Sequence, residues 1–270
     1  MMRIGCSGWS YPEWCPSFYP TRNTDFLRYY SRKFSTVEIN STFYSIPEVK
    51  SVRSWINSVS WRKDFLFSVK LPASISHESV LDDLQLALEK TTSFETQILS
   101  EFQSRGKLGM VLIQLPPAAG KNSRDQILRF LSSISATRFR YALELRNPGI
   151  MEDRKFASEV VELGISLVAT DSPLERLDDS QDAEEIWYFR LHGRNHEAWA
   201  SHLGKNEKYD YRYDHEELDK INEKIKAISP ATGDAFVYFN NHPHGNAPLN
   251  ATELMAMTGN LTDPQRTLTD

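Results

Sequence analysis

The chain has 270 residues, 40% of them hydrophobic and 25% charged, which is material for one large core or two small ones. A net charge of −5 and a pI near 5.9 argue against bulk nucleic-acid binding, which wants a basic face, although a local basic groove stays open. No apolar run approaches the ~18 residues of a membrane span, and two cysteines, Cys6 and Cys15, are too few for a disulfide framework or a Cys-based zinc site.

The N-terminus, Met1-Met2-Arg3-Ile4-Gly5, enters a strand at once without a signal-peptide core, so the expected compartment is the reducing cytoplasm. The first strand is predicted over 3–7. A loop rich in aromatics follows (Trp9, Tyr11, Trp14, Phe18, Tyr19), then a helix near 25–34. The second strand, 36–40, alternates: Val37 and Ile39 point one way, Thr36, Glu38 and Asn40 the other. A helix over 48–59 puts Val49, Val52, Ile56 and Val59 on one face. A strand at 65–70 leads to one long helix over 80–102, with Leu84, Leu88, Thr91, Phe94, Ile98 and Phe102 at helical spacing. The fourth strand, 109–115, is stopped by Pro116-Pro117.

A helix over 123–134 and a strand over 140–146 follow, the latter ended by the Asn147-Pro148-Gly149 turn. Next come a helix near 153–163 and a strand at 165–171. The acidic link 172–185, with Pro173, is a poor helix, so the sixth helix is expected to be short or degenerate. A strand at 186–192, a polar loop, a helix over 214–228, a strand at 235–240 and a closing helix over 248–257 complete the chain. Strands alternating with helices imply parallel βαβ units, and eight of them suit an α/β fold of the (β/α)8 TIM-barrel-like kind, as a single domain over 1–270. A doubly wound sheet is the rival, but Gly5-Cys6-Ser7-Gly8 is not a dinucleotide fingerprint.

Several motifs recur in an order that resembles a known family. They are Ile4-Gly5-Cys6-Ser7-Gly8-Trp9-Ser10-Tyr11-Pro12-Glu13-Trp14, Val37-Glu38-Ile39-Asn40-Ser41-Thr42-Phe43-Tyr44, Phe67-Ser68-Val69-Lys70, Ile113-Gln114-Leu115-Pro116-Pro117, Arg190-Leu191-His192-Gly193 and Tyr238-Phe239-Asn240-Asn241. Together they are similar to the YecE-like family, the domain of unknown function 72. The resemblance implies a TIM-barrel-like fold and a biochemical role that is unassigned. The chain departs from the family pattern at Asn147-Pro148-Gly149-Ile150, where a His and a Ser-Trp are usual, and at His242, often Asp.

In a barrel, the last inward residue of each strand lines the functional edge. Strand parity nominates Glu38 and Asn40, Lys70, Gln114, Glu144 and Arg146, Asp171, Arg190 and His192, and Asn240. Glu38 and Asn40 would form one wall of a polar pocket opposite Glu144 and Arg190. The bland alternative is an ion-pair network of Glu38 or Glu144 with Arg190, since an unpaired buried charge is costly.

The preferred chemistry is an acid–base enzyme, a hydrolase, lyase or isomerase, with Glu38, Lys70, Glu144, Arg190 and His192 at its centre. Lys70, Arg146 and Arg190 with Asn40, Gln114 and Asn240 would hold a phosphate or carboxylate; Glu38 or Glu144 would be the base, and His192 an acid or base. Ser7, Trp9, Tyr11, Tyr44, Asp171 and Asn241 are further candidate ligand contacts. A non-catalytic binder of a phosphate-containing ligand or nucleic-acid end is the second possibility.

No cofactor is expected. The alternative is a divalent metal on Glu144, Asp171 and His192, by fold analogy with xylose isomerase and endonuclease IV, although Asn240 stands where a carboxylate would be wanted. A retaining glycosidase is disfavoured, because Gln114 and Arg190/His192 occupy its usual carboxylate strands. His192/His196 and His242/His244 have ligand-like spacing but suit solvated loops. His77 either reaches the site or caps a helix. Ser7 and Ser41 lack a nucleophile elbow, and Cys6 suits the core. The Trp9-Tyr11-Trp14 cluster suits a ligand platform or a plug equally. The expected partner is a small polar or anionic ligand, with nucleic acid disfavoured and no membrane.

Overall fold

A computed structural model describes residues 1–135, 138–173, 175–177, 186–200 and 205–259. Among them, eight strands make one sheet: β1 (Met2–Cys6), β2 (Thr36–Ile39), β3 (Leu66–Lys70), β4 (Leu108–Gln114), β5 (Tyr141–Glu144), β6 (Ser166–Asp171), β7 (Tyr188–Leu191) and β8 (Ala235–Phe239). Their order is β1-β8-β7-β6-β5-β4-β3-β2, with parallel pairing. A parallel bridge from Ser7 to Glu38 joins the ends of β1 and β2. With helices in most of the links between successive strands, this is a TIM-barrel-like α/β fold.

Every expected strand forms, each within one or two residues of its predicted ends. Helix starts follow side-chain caps. Asp25 accepts from Arg28 N, Asp83 from Leu86 N, Asp153 from Phe156 N, and Asp214 with Glu217 closes a capping box. The Asp83 cap moves the long third helix from its expected start at Val80 to Leu84. That helix is also not continuous: α-helix over Leu84–Phe94 passes through a π-helical turn, Glu95–Leu99, before Ser100–Ser104. The wider turn accompanies a hydrogen bond from Tyr141 OH to Glu95 Oε1.

The degenerate sixth helix was expected in a link whose residues 174 and 178–185 lie outside the described ones, as does the acidic stretch 178–185. Among the described residues of that link there is no α-helix. No helix of the described residues is long and apolar enough to cross a membrane.

The chain divides into two compact units. The first comprises Met1–Glu38, Ser58–Phe65 and Ala169–Asp270; the second comprises Ile39–Asn57 and Leu66–Val168. In the first, β1, β7 and β8 form the sheet, backed by the helices His215–Ile228 and Asn246–Met257. Leu218, Ile221, Ile225 and Ile228 are buried on one helix face, each worth about 1.5–3 kcal/mol by area. Gly5 is needed where β1 passes β2, because a Cβ there would overlap the Thr36 carbonyl oxygen. In the second, β3, β4 and β5 carry Val69, Val111, Ile113 and Leu143, all fully buried.

Candidate functional site

Polar clusters stand at the strand ends of each unit. In the first unit the centre is Glu38, fully buried. Arg190 grips it with both arms, Nη2 to Oε1 at 2.8 Å and Nε to Oε2 at 3.0 Å. Ser7 Oγ donates to Oε1 at 2.5 Å and Tyr188 OH to Oε2 at 2.7 Å. Four donors thus meet one carboxylate, a satisfied bidentate pair. Burial and then the Glu38 charge push the Tyr188 phenol well above its usual range, so it stays a donor. Behind it Thr36 Oγ1 and Tyr238 OH are 2.7 Å apart. Arg190 therefore does not face Glu38 across a space; it is bonded to it.

Asp171, also fully buried, accepts from Arg194 Nη2 at 2.6 Å and Nε at 2.9 Å, from Tyr213 OH at 2.7 Å and from Leu177 N at 2.9 Å. Burial, then the Asp171 charge, drives the Tyr213 phenol upward. Arg194 Nη1 continues to Glu217 Oε1 at 3.2 Å. Gly193 allows this turn: its φ is +87° and a Cβ would press on Tyr211. Asp171 is thus committed to a buried arginine pair rather than presented to a ligand. Of the metal set expected of Glu144, Asp171 and His192, each carboxylate is held by an arginine. No group of three or more His, Cys, Asp or Glu among the described residues is placed to hold a metal.

His192 Nδ1 lies 3.1 Å from Asn240 Nδ2. The amide nitrogen donates, so the neutral imidazole carries its proton on Nε2. Asn241 ties the chain down, donating to Tyr211 O at 2.8 Å and Asn250 Oδ1 at 3.0 Å. Tyr11 stacks on Trp14 (4.7 Å) and on His242 (5.0 Å), with its hydroxyl on Ser7 O. Trp14 and Tyr19 are fully buried, while Trp9 and Tyr11 remain half-buried. Burial lowers the His242 imidazole, which is therefore neutral.

The second unit holds the other cluster. Lys70 Nζ donates to Gln114 Oε1 at 2.9 Å, Gln114 Nε2 to Glu144 Oε1 at 2.6 Å, and Arg146 Nε to the same Oε1 at 2.9 Å. The β4–β5 register sets Gln114 beside Glu144. Lys70 is held from two more sides. The Phe43 ring lies 3.7 Å beneath its ammonium, and the buried Thr42 hydroxyl sits 2.6 Å from its carbonyl oxygen. Lys70, Gln114 and Glu144 are 5%, 4% and 1% exposed, whereas the Arg146 side chain is 28% exposed and opens the cluster to solvent. Two cations surround one carboxylate. Asn40 follows β2, half-buried, with its Oδ1 lacking a partner. Tyr44 points outward, 72% exposed.

His77 meets this cluster electrostatically. Its imidazole is pushed down to about 4 from 6.5, by burial first, then by the positive charges of Lys70 and Arg146, with Glu144 opposing. An unfolded imidazole titrates near 6.5, so between pH 6.5 and 4 the unfolded chain binds the extra proton. Stability from this group is present above that window and is lost as pH falls through it. Lowering pH from 7 to 4.5 is expected to reduce the urea midpoint more in the wild type than in His77→Gln; equal losses would contradict the burial of His77.

Tyr188, Thr42, Arg194 and Tyr213 escaped the sequence. Tyr188 shares the parity of Arg190, and that signal was available. Arg194 lies past the strand end, where parity lapses.

The sequence profile of the family described as "Protein of unknown function DUF72" matches residues 3–269. The chain is similar to the UPF0759 protein YecE of Escherichia coli K12, 31% identical over 179 residues, which is 64% of this chain and 60% of that protein's length. It is similar to the UPF0759 protein YunF of Bacillus subtilis, 25% identical over 278 aligned positions, 95% of this chain and 94% of the other. Among solved structures, a DUF72 family protein of Thermotoga maritima superimposes with a TM-score of 0.80 and 27% identity, covering 96% of this chain and 99% of its own. One from Enterococcus faecalis, with a TM-score of 0.76 and 21% identity over 97% of each chain, shows the same fold.

Proposed function

We propose, for a chain that belongs to the DUF72 family of proteins of unknown function, that its second unit carries an anion-binding acid–base site. The protein on this proposal is an enzyme, a hydrolase, lyase or isomerase, acting on a small anionic substrate. The observation that carries it is the excess of positive charge at the β3, β4 and β5 ends: Lys70 and Arg146 around Glu144, rigidly joined by Gln114. Lys70 offers a point charge and Arg146 a planar fork, the pair of geometries that phosphate or carboxylate oxygens accept. Glu144 is the proton-transferring group. An anion that draws Arg146 toward itself takes a donor from Glu144 and makes its carboxylate more basic. Glu38 and Arg190 take a positioning part, because both carboxylate oxygens are already engaged. His192, fixed by Asn240, is a second acid–base candidate in the first unit. We place the protein in the reducing cytoplasm, in keeping with its two free cysteines.

Calorimetric titration with inorganic sulfate and phosphate at low ionic strength tests this. Lys70→Met is expected to weaken binding roughly 10- to 100-fold, the worth of one charge-assisted hydrogen bond. Glu144→Gln should bind at least as tightly as the wild type, since it removes a competing negative charge. Unchanged affinity in Lys70→Met would overturn the site.

A non-catalytic binding protein is the second reading, favoured by the full occupation of Glu38. Incubation with small phosphate monoesters and dicarboxylates, followed by proton NMR, separates the two. A bound compound returned unchanged supports binding alone, and a new product supports the enzyme.

A further inference from the structure

We propose that His77 is the proton-binding partner of the anion site: an anion that neutralises Lys70 and Arg146 draws a proton onto the His77 ring, so that anion and proton bind together. This rests on the anion site proposed above and adds a regulation to it.

The geometry sets two groups against one aromatic ring. Phe43 presents its face to Lys70 Nζ at 3.7 Å and makes an edge contact with the His77 ring at 4.8 Å, with planes 81° apart. His77 ends the short helix Ala73–Ser76, which leaves β3 just after Lys70, so chain connectivity itself brings the imidazole near the ammonium. One ring nitrogen is engaged locally. Ser76 Oγ donates to Pro72 O at 3.2 Å and lies 3.2 Å from His77 Nδ1, so Oγ accepts from Nδ1–H. The ring's basic lone pair is then on Nε2, and that is where an added proton goes. His77 is half-buried and therefore reachable by solvent protons.

The charged groups acting on it are Lys70 from β3, and Arg146 and Glu144 from the end of β5. Two of the three are positive and oppose an imidazolium. A bound dianion reverses that balance. The change in field is reciprocal: whatever the anion does to proton affinity, the proton does to anion affinity. The bond made is Nε2–H, the proton comes from solvent, and nothing is oxidised. The consequence is a site that holds its anion more tightly as pH falls toward 5 and releases it toward neutrality.

Sulfate is the suitable probe, because it remains a dianion across this range and takes up no proton itself. Calorimetry at pH 5 in buffers of different ionisation enthalpy counts the protons. The wild type is expected to take up on the order of half a proton per sulfate, and His77→Gln far less, with sulfate affinity nearly independent of pH between 5 and 7. In the wild type, the NMR titration midpoint of the His77 ring should rise by ~1 pH unit or more in saturating sulfate. Sulfate binding that depends on Lys70 but brings no proton uptake and no movement of the midpoint would overturn this inference and leave the anion site standing. Absence of sulfate binding would overturn both.

Discussion

Glu38→Gln is expected to cost about 3–5 kcal/mol of folding stability, the usual cost of breaking a buried pair by removing one partner. The amide keeps the shape of the side chain, so no cavity opens. What is lost is the charge that both arms of Arg190 grip, at a guanidinium only 1% exposed. Ser7 and Tyr188 lose strength as well, since both donate to the same group. Domains of this size have about 5–15 kcal/mol in all, so the variant should unfold at markedly lower urea. The double variant Glu38→Gln/Arg190→Met should recover much of the loss, because it removes the other half of the buried pair as well. Urea denaturation of the three proteins checks this. A Glu38→Gln midpoint equal to the wild type's would mean that water reaches the pair.

Asp171→Asn is expected to follow the same logic at a smaller cost, about 2–4 kcal/mol. Arg194 is as deeply buried as Arg190, but it retains Glu217 at 3.2 Å as a second counter-charge. Tyr213 loses its charged acceptor at 2.7 Å but keeps the contact with Gly193 N at 2.8 Å. Tyr213→Phe, which removes one hydroxyl, should cost only about 1–2 kcal/mol. The expected order in denaturation is therefore Glu38→Gln, then Asp171→Asn, then Tyr213→Phe. Asp171→Asn within about 1 kcal/mol of the wild type would contradict this account of the buried pair.

These two pairs also mark where the sequence stopped being informative. Alternation in Thr36–Ile39 and Tyr188–Leu191 shows which residues share a face, because side chains in a strand repeat every second position. It therefore nominated Glu38 and Arg190. It could not choose between Glu38 and Glu144 as partner for Arg190, since that depends on lateral distances between strands far apart in the chain. The structure gives Arg190 to Glu38 and Arg146 to Glu144. Helix starts were legible at the aspartate caps Asp25, Asp153 and Asp214, but not at Asp83, where the helix begins at Leu84 instead of Val80. The π turn at Glu95–Leu99 was not, because it extends an amphipathic pattern that reads as one helix. Thr42 stands in the short 3-10 turn Ser41–Phe43 and Arg194 in a loop, where the strand period does not apply, and both act by reaching back to a strand end.

The central claim is that Lys70, Gln114, Glu144 and Arg146 together receive an anion. Crystals soaked in selenate, which has the charge and shape of sulfate, test it most directly through the anomalous signal of selenium. A peak within hydrogen-bonding reach of Lys70 Nζ and the Arg146 guanidinium, lost in Lys70→Met crystals, is expected. Selenate bound elsewhere, with none at this cluster in the wild type, would contradict it.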